Sequence, residues 1–230
     1  MKLKMLIVSV FFICSLLTAI SLAQNKVVVI PLDSGDHDCS KIQTVTSAGQ
    51  VWMDRNLGAF RVAQSEDDYQ AYGWLYQWGR PADGHEIRSS PTTTTLSSAD
   101  IPGHDDFITV TASPYDWRSP QNNNLWQGVS GVNNPCPDGF RVPTLTEWET
   151  ERASWSSDDA AGAFASPLKL VVGGYRNRSN GVVGLAGSRG YYWSSTVSGS
   201  DSYRLIFYSD GASVDSNSRP NGFSVRCIND

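Results

Sequence analysis

A chain of 230 residues with 40% hydrophobic and 11% aromatic content holds enough apolar material for one sizeable core, and its 20 glycines promise many turns. Its 18 basic residues stand against 23 acidic ones, for a net charge of −5. An acidic chain without a basic run is a poor partner for nucleic acid and is not drawn to anionic lipid.

The chain begins with Lys2 and Lys4, continues as an apolar run from Met5 to Leu22, and reaches small residues at Ser21-Leu22-Ala23. That order is the pattern of a secretory signal peptide, 1–23, with cleavage expected after Ala23. A membrane anchor is the competing reading, but the run is short for a span and a cleavage-type site follows at once. Phe12-Ile13 are too bulky before Cys14 for a lipoprotein signal. No later apolar run is long enough to cross a membrane, so none is expected to insert after cleavage. The expected location is secreted or on the cell surface, an oxidising setting that favours disulfides. Cys39, Cys136 and Cys227 remain, which allows three single pairings, each leaving one cysteine over.

Residues 24–41 read as an exposed lead-in, with Val27-Val28-Val29-Ile30 as an edge strand, and the domain proper spans 42–230. Residues 42–53 are β-branched and apolar around Gly49, the pattern of a hairpin. From Glu66 to Trp78, Tyr69, Tyr72, Leu75 and Tyr76 recur at helical spacing, so a first helix is expected there, with Gly73 as the discordant residue. Residues 80–135 are polar and rich in Ser, Thr, Asn and Pro; a loop of this length is uncommon and often functional. It reads equally as an insertion with its own short strands, such as Phe107-Ile108-Thr109-Val110.

The stretch Cys136-Pro137-Asp138-Gly139-Phe140-Arg141-Val142-Pro143-Thr144-Leu145-Thr146-Glu147-Trp148-Glu149 organises the rest. Pro143 holds Val142 extended, and Thr144 with Glu147 forms a capping-box pattern, so a helix is expected over about 144–155. Phe140, Val142, Leu145 and Trp148 are its apolar anchors. Residues 168–175 read as a strand into Gly173-Gly174. Turn signals at Asn180-Gly181, Gly199, Asp210-Gly211 and Asn221-Gly222 separate strand-like runs 190–197, 203–208, 212–215 and 222–228. In the second run, Tyr203, Leu205 and Phe207 fall on one face and Arg204, Ile206 and Tyr208 on the other, as in an antiparallel meander.

The Cys136–Glu149 stretch resembles the C-P-x-G-[WF]-x-[VL]-P-T-x-x-E-W segment of the Fibrobacter succinogenes major paralogous domain, found in secreted and surface proteins of Bacteroidetes and Fibrobacteres. Val51-Trp52-Met53-Asp54-Arg55-Asn56-Leu57, Tyr72-Gly73-Trp74-Leu75-Tyr76-Gln77-Trp78, Gly174-Tyr175-Arg176 with Tyr192-Trp193-Ser194-Ser195-Thr196, and Gly222-Phe223-Ser224-Val225-Arg226-Cys227 agree with it in order. The resemblance covers roughly 44–230 and implies an α+β, C-type-lectin-like fold: twisted antiparallel sheets, two flanking helices and a long loop excursion. It favours a Cys136–Cys227 disulfide, since both lie in its motifs; Cys39–Cys227 stays open, because lectin-like folds bring the chain ends together.

Chemistry is sparse. His37-Asp38-Cys39 puts neighbouring side chains on opposite faces of an extended chain, which disfavours a thiol site. His104-Asp105-Asp106 has no second histidine at ligand spacing and reads as a solvated loop. The resemblance extends to formylglycine-generating enzymes, whose copper-dependent oxidation uses a pair of cysteines near the C-terminus; here that region holds Cys227 alone. No catalytic residue is therefore assigned. The calcium-lectin tripeptides Glu-Pro-Asn, Gln-Pro-Asp and Trp-Asn-Asp are absent. No cofactor is expected, although Asp100, Asp105, Asp106, Asp116 and Asp201 leave a structural calcium ion open.

The C-terminal part is similar to lectin-like proteins diversified by retroelements, whose ligand contacts spread over the final sheet and its loops. Carried over by position, the candidates are Tyr191, Ser202, Tyr203, Arg204, Tyr208, Asp210, Asp215, Asn217 and Arg219. Tyr, Ser, Asn and Arg combine rigid aromatic area with adaptable hydrogen bonding. The alternative is an ordinary solvated sheet face, with Trp193, Leu205, Phe207, Phe223 and Val225 on its core side. Tyr115, Trp117 and Trp126 in the long loop suit sugar stacking, but loop tryptophans more often anchor a loop from within. The expected function is a non-catalytic binding or adhesion module for a glycan or surface protein. A secreted enzyme of the formylglycine-generating-like fold and a structural surface component are the alternatives.

Overall fold

The computed structural model describes residues 19–23, 26–30 and 42–230. Most of the expected leader, the cluster His37-Asp38-Cys39 and the Cys39 pairing lie outside the described residues. The chain divides into two units, Met1–Ile42 and Gln43–Asp230. Among the described residues no helix is long and apolar enough to cross a membrane. In the first unit, β1 (Ala19–Ala23) pairs antiparallel with β2 (Lys26–Ile30).

The second unit opens with a hairpin, β3 (Thr44–Ser47) and β4 (Gln50–Met53). Ala48 and Gly49 turn it with φ of 47° and 78°, the left-handed pair that a two-residue loop requires. There follow β5 (Tyr76–Gln77), β6 (Thr92–Thr93), β7 (Phe107–Ile108) and β8 (Phe140–Arg141), then α1 (Leu145–Ala153) and α2 (Ala160–Ala165). The C-terminal part adds β9 (Tyr175–Arg176), β10 (Val183–Gly184), β11 (Arg189–Ser198), β12 (Asp201–Tyr208), β13 (Gly211–Ser218), β14 (Gly222–Phe223) and β15 (Ile228–Asn229). The unit is mostly β with two short helices. Three sheets are antiparallel: β3-β4-β15-β8, β10-β9-β14-β5 and the meander β11-β12-β13; β6 and β7 pair in parallel.

The helix expected over 66–78 is absent. Asp68 caps a single 3-10 turn at Tyr69–Ala71, and Gly73 then takes φ +68°, where a Cβ would stand 2.3 Å from the Leu57 carbonyl oxygen. Beyond it the backbone bonds to other segments, Trp74 N–H to Leu57 and Leu75 N–H to Glu86, so the aromatic spacing serves an extended chain. The strand expected over 168–175 is reduced to β9. Ahead of it, the Val171 and Val172 N–H groups donate to the Tyr192 hydroxyl and the Glu66 carbonyl in place of a ladder.

The capped helix forms as expected. Thr144 accepts from the Glu147 N–H at 3.3 Å, and Glu147 accepts from the Thr144 N–H at 2.7 Å. Arg141 grips the same carboxylate, which holds Glu147 below the usual carboxylate range despite burial. The second helix is α2, which the sequence reading passed over; Asp159 caps it, accepting from the Gly162 N–H at 2.9 Å.

Two hydrophobic clusters enclose the meander. The first gathers Trp78, Ile108, Val110, Trp117, Leu125 and Trp126 with Tyr191, Trp193, Ile206 and Phe223. The second gathers Trp52, Trp148, Trp155, Leu168 and Val172 with Tyr192, Leu205 and Phe207. Alternation along β11 and β12 thus feeds two cores, where a simple solvated sheet would feed one. Trp117 and Trp126 are fully buried, and their indole N–H groups donate to the carbonyls of Trp78 (2.7 Å) and Arg80 (3.1 Å). They pin the long loop from inside. Cys136 and Cys227 form a disulfide across 91 residues beside β15. A loop of that length gives stabilisation on the order of 4 kcal/mol by restricting the unfolded chain.

Candidate functional site

Side chains on paired strands of the meander share a face. Trp193 lies opposite Arg204, Tyr191 opposite Ile206, Arg204 opposite Asp215 and Ser202 opposite Asn217, so these residues belong to the face of the first cluster. Tyr203 pairs with Ser216 and points the other way, alongside Leu205 and Phe207.

Where this face meets the segment after β9, a depression of about 320 Å³ opens. Tyr175, Asn177, Arg178, Ser179, Tyr191, Arg204, Asn217, Asn221 and Phe223 line it. Its floor is aromatic: Tyr191 stacks on Phe223 at 5.2 Å and Tyr175 packs 5.2 Å from Tyr191. The Arg204 guanidinium covers that floor, 4.9 Å from the Tyr191 centroid and 5.1 Å from Phe223. Arg178 stacks on Tyr115 at 3.9 Å and donates to the Val110 carbonyl at 2.8 Å. Asn221 ties the two sides together. It donates to Asn217 Oδ1 at 2.6 Å and accepts from the Arg178 N–H at 2.9 Å. Burial pushes the Tyr191 phenol above its usual range, opposed by the neighbouring Arg189 guanidinium.

Of the nine candidates, Tyr191, Arg204 and Asn217 line this depression. Asp215 stands beside it, 2.8 Å from Arg204 Nε. Tyr208, half-buried, lies under the Arg189 guanidinium, and Asp210 is exposed in the turn before β13. Ser202 and Arg219 are buried. Arg219 serves the fold: it lies 4.5 Å from the Trp78 ring centroid and bonds Asn123 Oδ1 (2.7 Å), the Gly199 carbonyl (3.2 Å) and the buried Asp116 (3.4 Å). Sequence reasoning missed Tyr175, Asn177, Arg178, Ser179 and Asn221 as lining residues. Their proximity is tertiary, although Gly174-Tyr175-Arg176 had stood out as a motif.

Asp83, His85 and Glu86 are close enough to suggest a metal centre. Their hydrogen bonds say otherwise. His85 Nε2 accepts from the Gln77 N–H at 3.0 Å, which puts the proton on Nδ1, 2.6 Å from Asp83. Both ring nitrogens are occupied, and burial lowers the imidazole pKa to about 4, so it is neutral at ordinary pH. The trio fixes the start of the long loop together with Arg80, which bonds Asp83 and the carbonyls of His104 and Asp106. Of the carboxylates considered for calcium, Asp116 pairs with Arg219 and Asp100 accepts from Asn122.

A family model described as a domain of unknown function (DUF8237) matches residues 155–228. That span holds every residue lining the depression, from Tyr175 to Phe223. No curated protein and no solved structure matches the chain.

Proposed function

We propose that the protein is an exported, non-catalytic binding module of C-type-lectin-like type that recognises a glycan or a protein through its C-terminal sheet face. The observation that carries this reading is the meeting of Tyr191, Arg204 and Asn217, from three adjacent strands, with Tyr175, Asn177, Arg178 and Asn221 around one concave site. The lining offers guanidinium, amide and phenol groups. It holds no histidine, cysteine or carboxylate to act as nucleophile or base, which favours recognition over the enzyme alternative. The likeness to the Fibrobacter succinogenes major paralogous domain and to diversified lectin-like proteins, both exported and surface-associated, supports the same reading and the location outside the cell.

The test is a screen of the purified protein on glycan and surface-protein arrays, with and without a calcium chelator. Arg204→Gln alters the site, and Tyr203→Ala alters the opposite face of the same strand. Binding lost in Arg204→Gln and kept in Tyr203→Ala is the expected result. Binding lost only in chelator moves recognition to a calcium site elsewhere, and no binding on either array removes the reading.

A further inference from the structure

The lining of the depression is cationic in an acidic chain. Arg178 and Arg204 both face it, and no Asp or Glu is among its lining residues. Arg189, on the same strand face as Tyr191 and 4.9 Å from the Tyr208 ring centroid, adds a third guanidinium nearby. Among the described residues no carboxylate pairs with Arg178 or Arg189, and Asp215 occupies only the Nε side of Arg204. Guanidinium groups held against aromatic rings lose little freedom when they bind a carboxylate or sulfate. Asn217 lies among them, its Oδ1 taken by Asn221 and its amide N–H groups suited to hydroxyl groups.

A second cavity, of about 520 Å³, adjoins the first and shares Ser179 with it. Its lining has a different character: the hydroxyl residues Thr94, Thr109, Thr111 and Ser113 stand beside apolar Leu96 and Pro114, and its two charged members, Asp116 and Arg118, are held in pairs with Arg219 and Asp100. Arg178 stands at the junction, since the Val110 carbonyl it bonds belongs to the second lining. Hydroxyls interspersed with small apolar surface match the alternating O–H and C–H faces of neutral sugar rings.

We propose, resting on the binding-module reading, that the ligand is an acidic oligosaccharide. A sugar bearing a carboxylate or sulfate sits between Arg178 and Arg204, and neutral units run past Ser179 into the larger cavity. The first cavity is at the small end of the range for ligand sites, roughly 300–1,000 Å³, which suits one sugar ring.

The test is an array of neutral, sialylated, uronic-acid-containing and sulfated glycans, alongside acidic proteins. It is probed with the wild type, Arg204→Gln and Asn217→Asp. The second variant keeps an acceptor for the Asn221 amide and adds a negative charge to the lining. Melting curves and circular dichroism establish that both variants fold. The expected result is binding confined to acidic glycans and weakened about tenfold or more in both variants, as loss of a charge-assisted contact implies. The sialylated, uronic and sulfated arms identify the acidic group. Neutral glycans or proteins bound in preference, and lost in Arg204→Gln, would overturn the acidic-sugar assignment while leaving recognition at this face standing. Binding indifferent to both variants, or no binding at all, would overturn both.

Discussion

Arg204 and Asp215 meet across β12 and β13 with 2.8 Å between Nε and the carboxylate oxygen, while the same guanidinium lies 4.9 Å from the Tyr191 ring centroid. The arginine is thus positioned twice, by charge along the sheet and by the aromatic floor beneath it. Asp215 is about half exposed, so the pair contributes at most about 1 kcal/mol to stability. Its larger effect is on the field of the depression, where it opposes an incoming anion.

Asp215→Asn should therefore leave the melting temperature nearly unchanged and strengthen binding of an acidic ligand by a few-fold, roughly the worth of one screened charge. Titration of the wild type and the variant at low and at physiological salt checks this, and the gain should shrink as salt rises.

Thr144→Ala removes the hydroxyl that accepts from the Glu147 N–H, leaving that donor at the start of α1 without its cap. The expected cost is about 1 kcal/mol, within the range for N-cap losses. Thermal unfolding should show a fall of roughly 2–4 °C for a domain of this size.

His85 is the group that should tie stability to pH. Burial lowers its pKa to about 4, against 6.5 for an unhindered imidazole. In the unfolded chain it takes up a proton below about 6.5, whereas the folded protein resists until about 4. Its contribution is complete above the unfolded value and is lost as pH falls through this window, amounting to about 3 kcal/mol at the bottom. Denaturant unfolding between pH 4 and 7 should show this slope in the wild type, and His85→Gln should flatten it.

The meander, the first hairpin and the capped helix were legible because each is written locally: alternation from Tyr203 to Tyr208, a Gly49 turn, and Thr144 with Glu147. The same alternation already set Tyr203 apart from Arg204, and the structure keeps them on opposite faces. The helix expected over 66–78 misled because Tyr69, Tyr72 and Leu75 answer to three different surroundings. Tyr69 is exposed, the Tyr72 hydroxyl bonds the Asp67 carbonyl, and Leu75 is fully buried. α2 was missed although an Asp159 cap and an alanine run announce it. Tyr175, Asn177, Arg178 and Ser179 reach the depression through the β9–β14 pairing and the Arg178 N–H bond to Asn221, tertiary contacts no local pattern encodes.

Arg219 carries the converse lesson. Its position in the C-terminal part marks it as a candidate contact residue, yet its guanidinium is buried against Trp78 and Asp116. Arg219→Ala should destabilise the fold by on the order of 3 kcal/mol, because it strands the Asp116 carboxylate. Denaturant midpoints should separate it from Arg204→Gln, which should unfold close to the wild type.

The most direct test of recognition on the C-terminal sheet face compares two arginine variants on the same glycan array. Arg204→Gln changes the depression. Arg152→Gln changes an exposed pair with Asp158 on α1, the helix packed through Trp148 against the opposite face of the meander. Ligand binding lost in Arg204→Gln and intact in Arg152→Gln is the predicted result. Equal binding by both variants and the wild type would contradict it and place recognition elsewhere on the molecule.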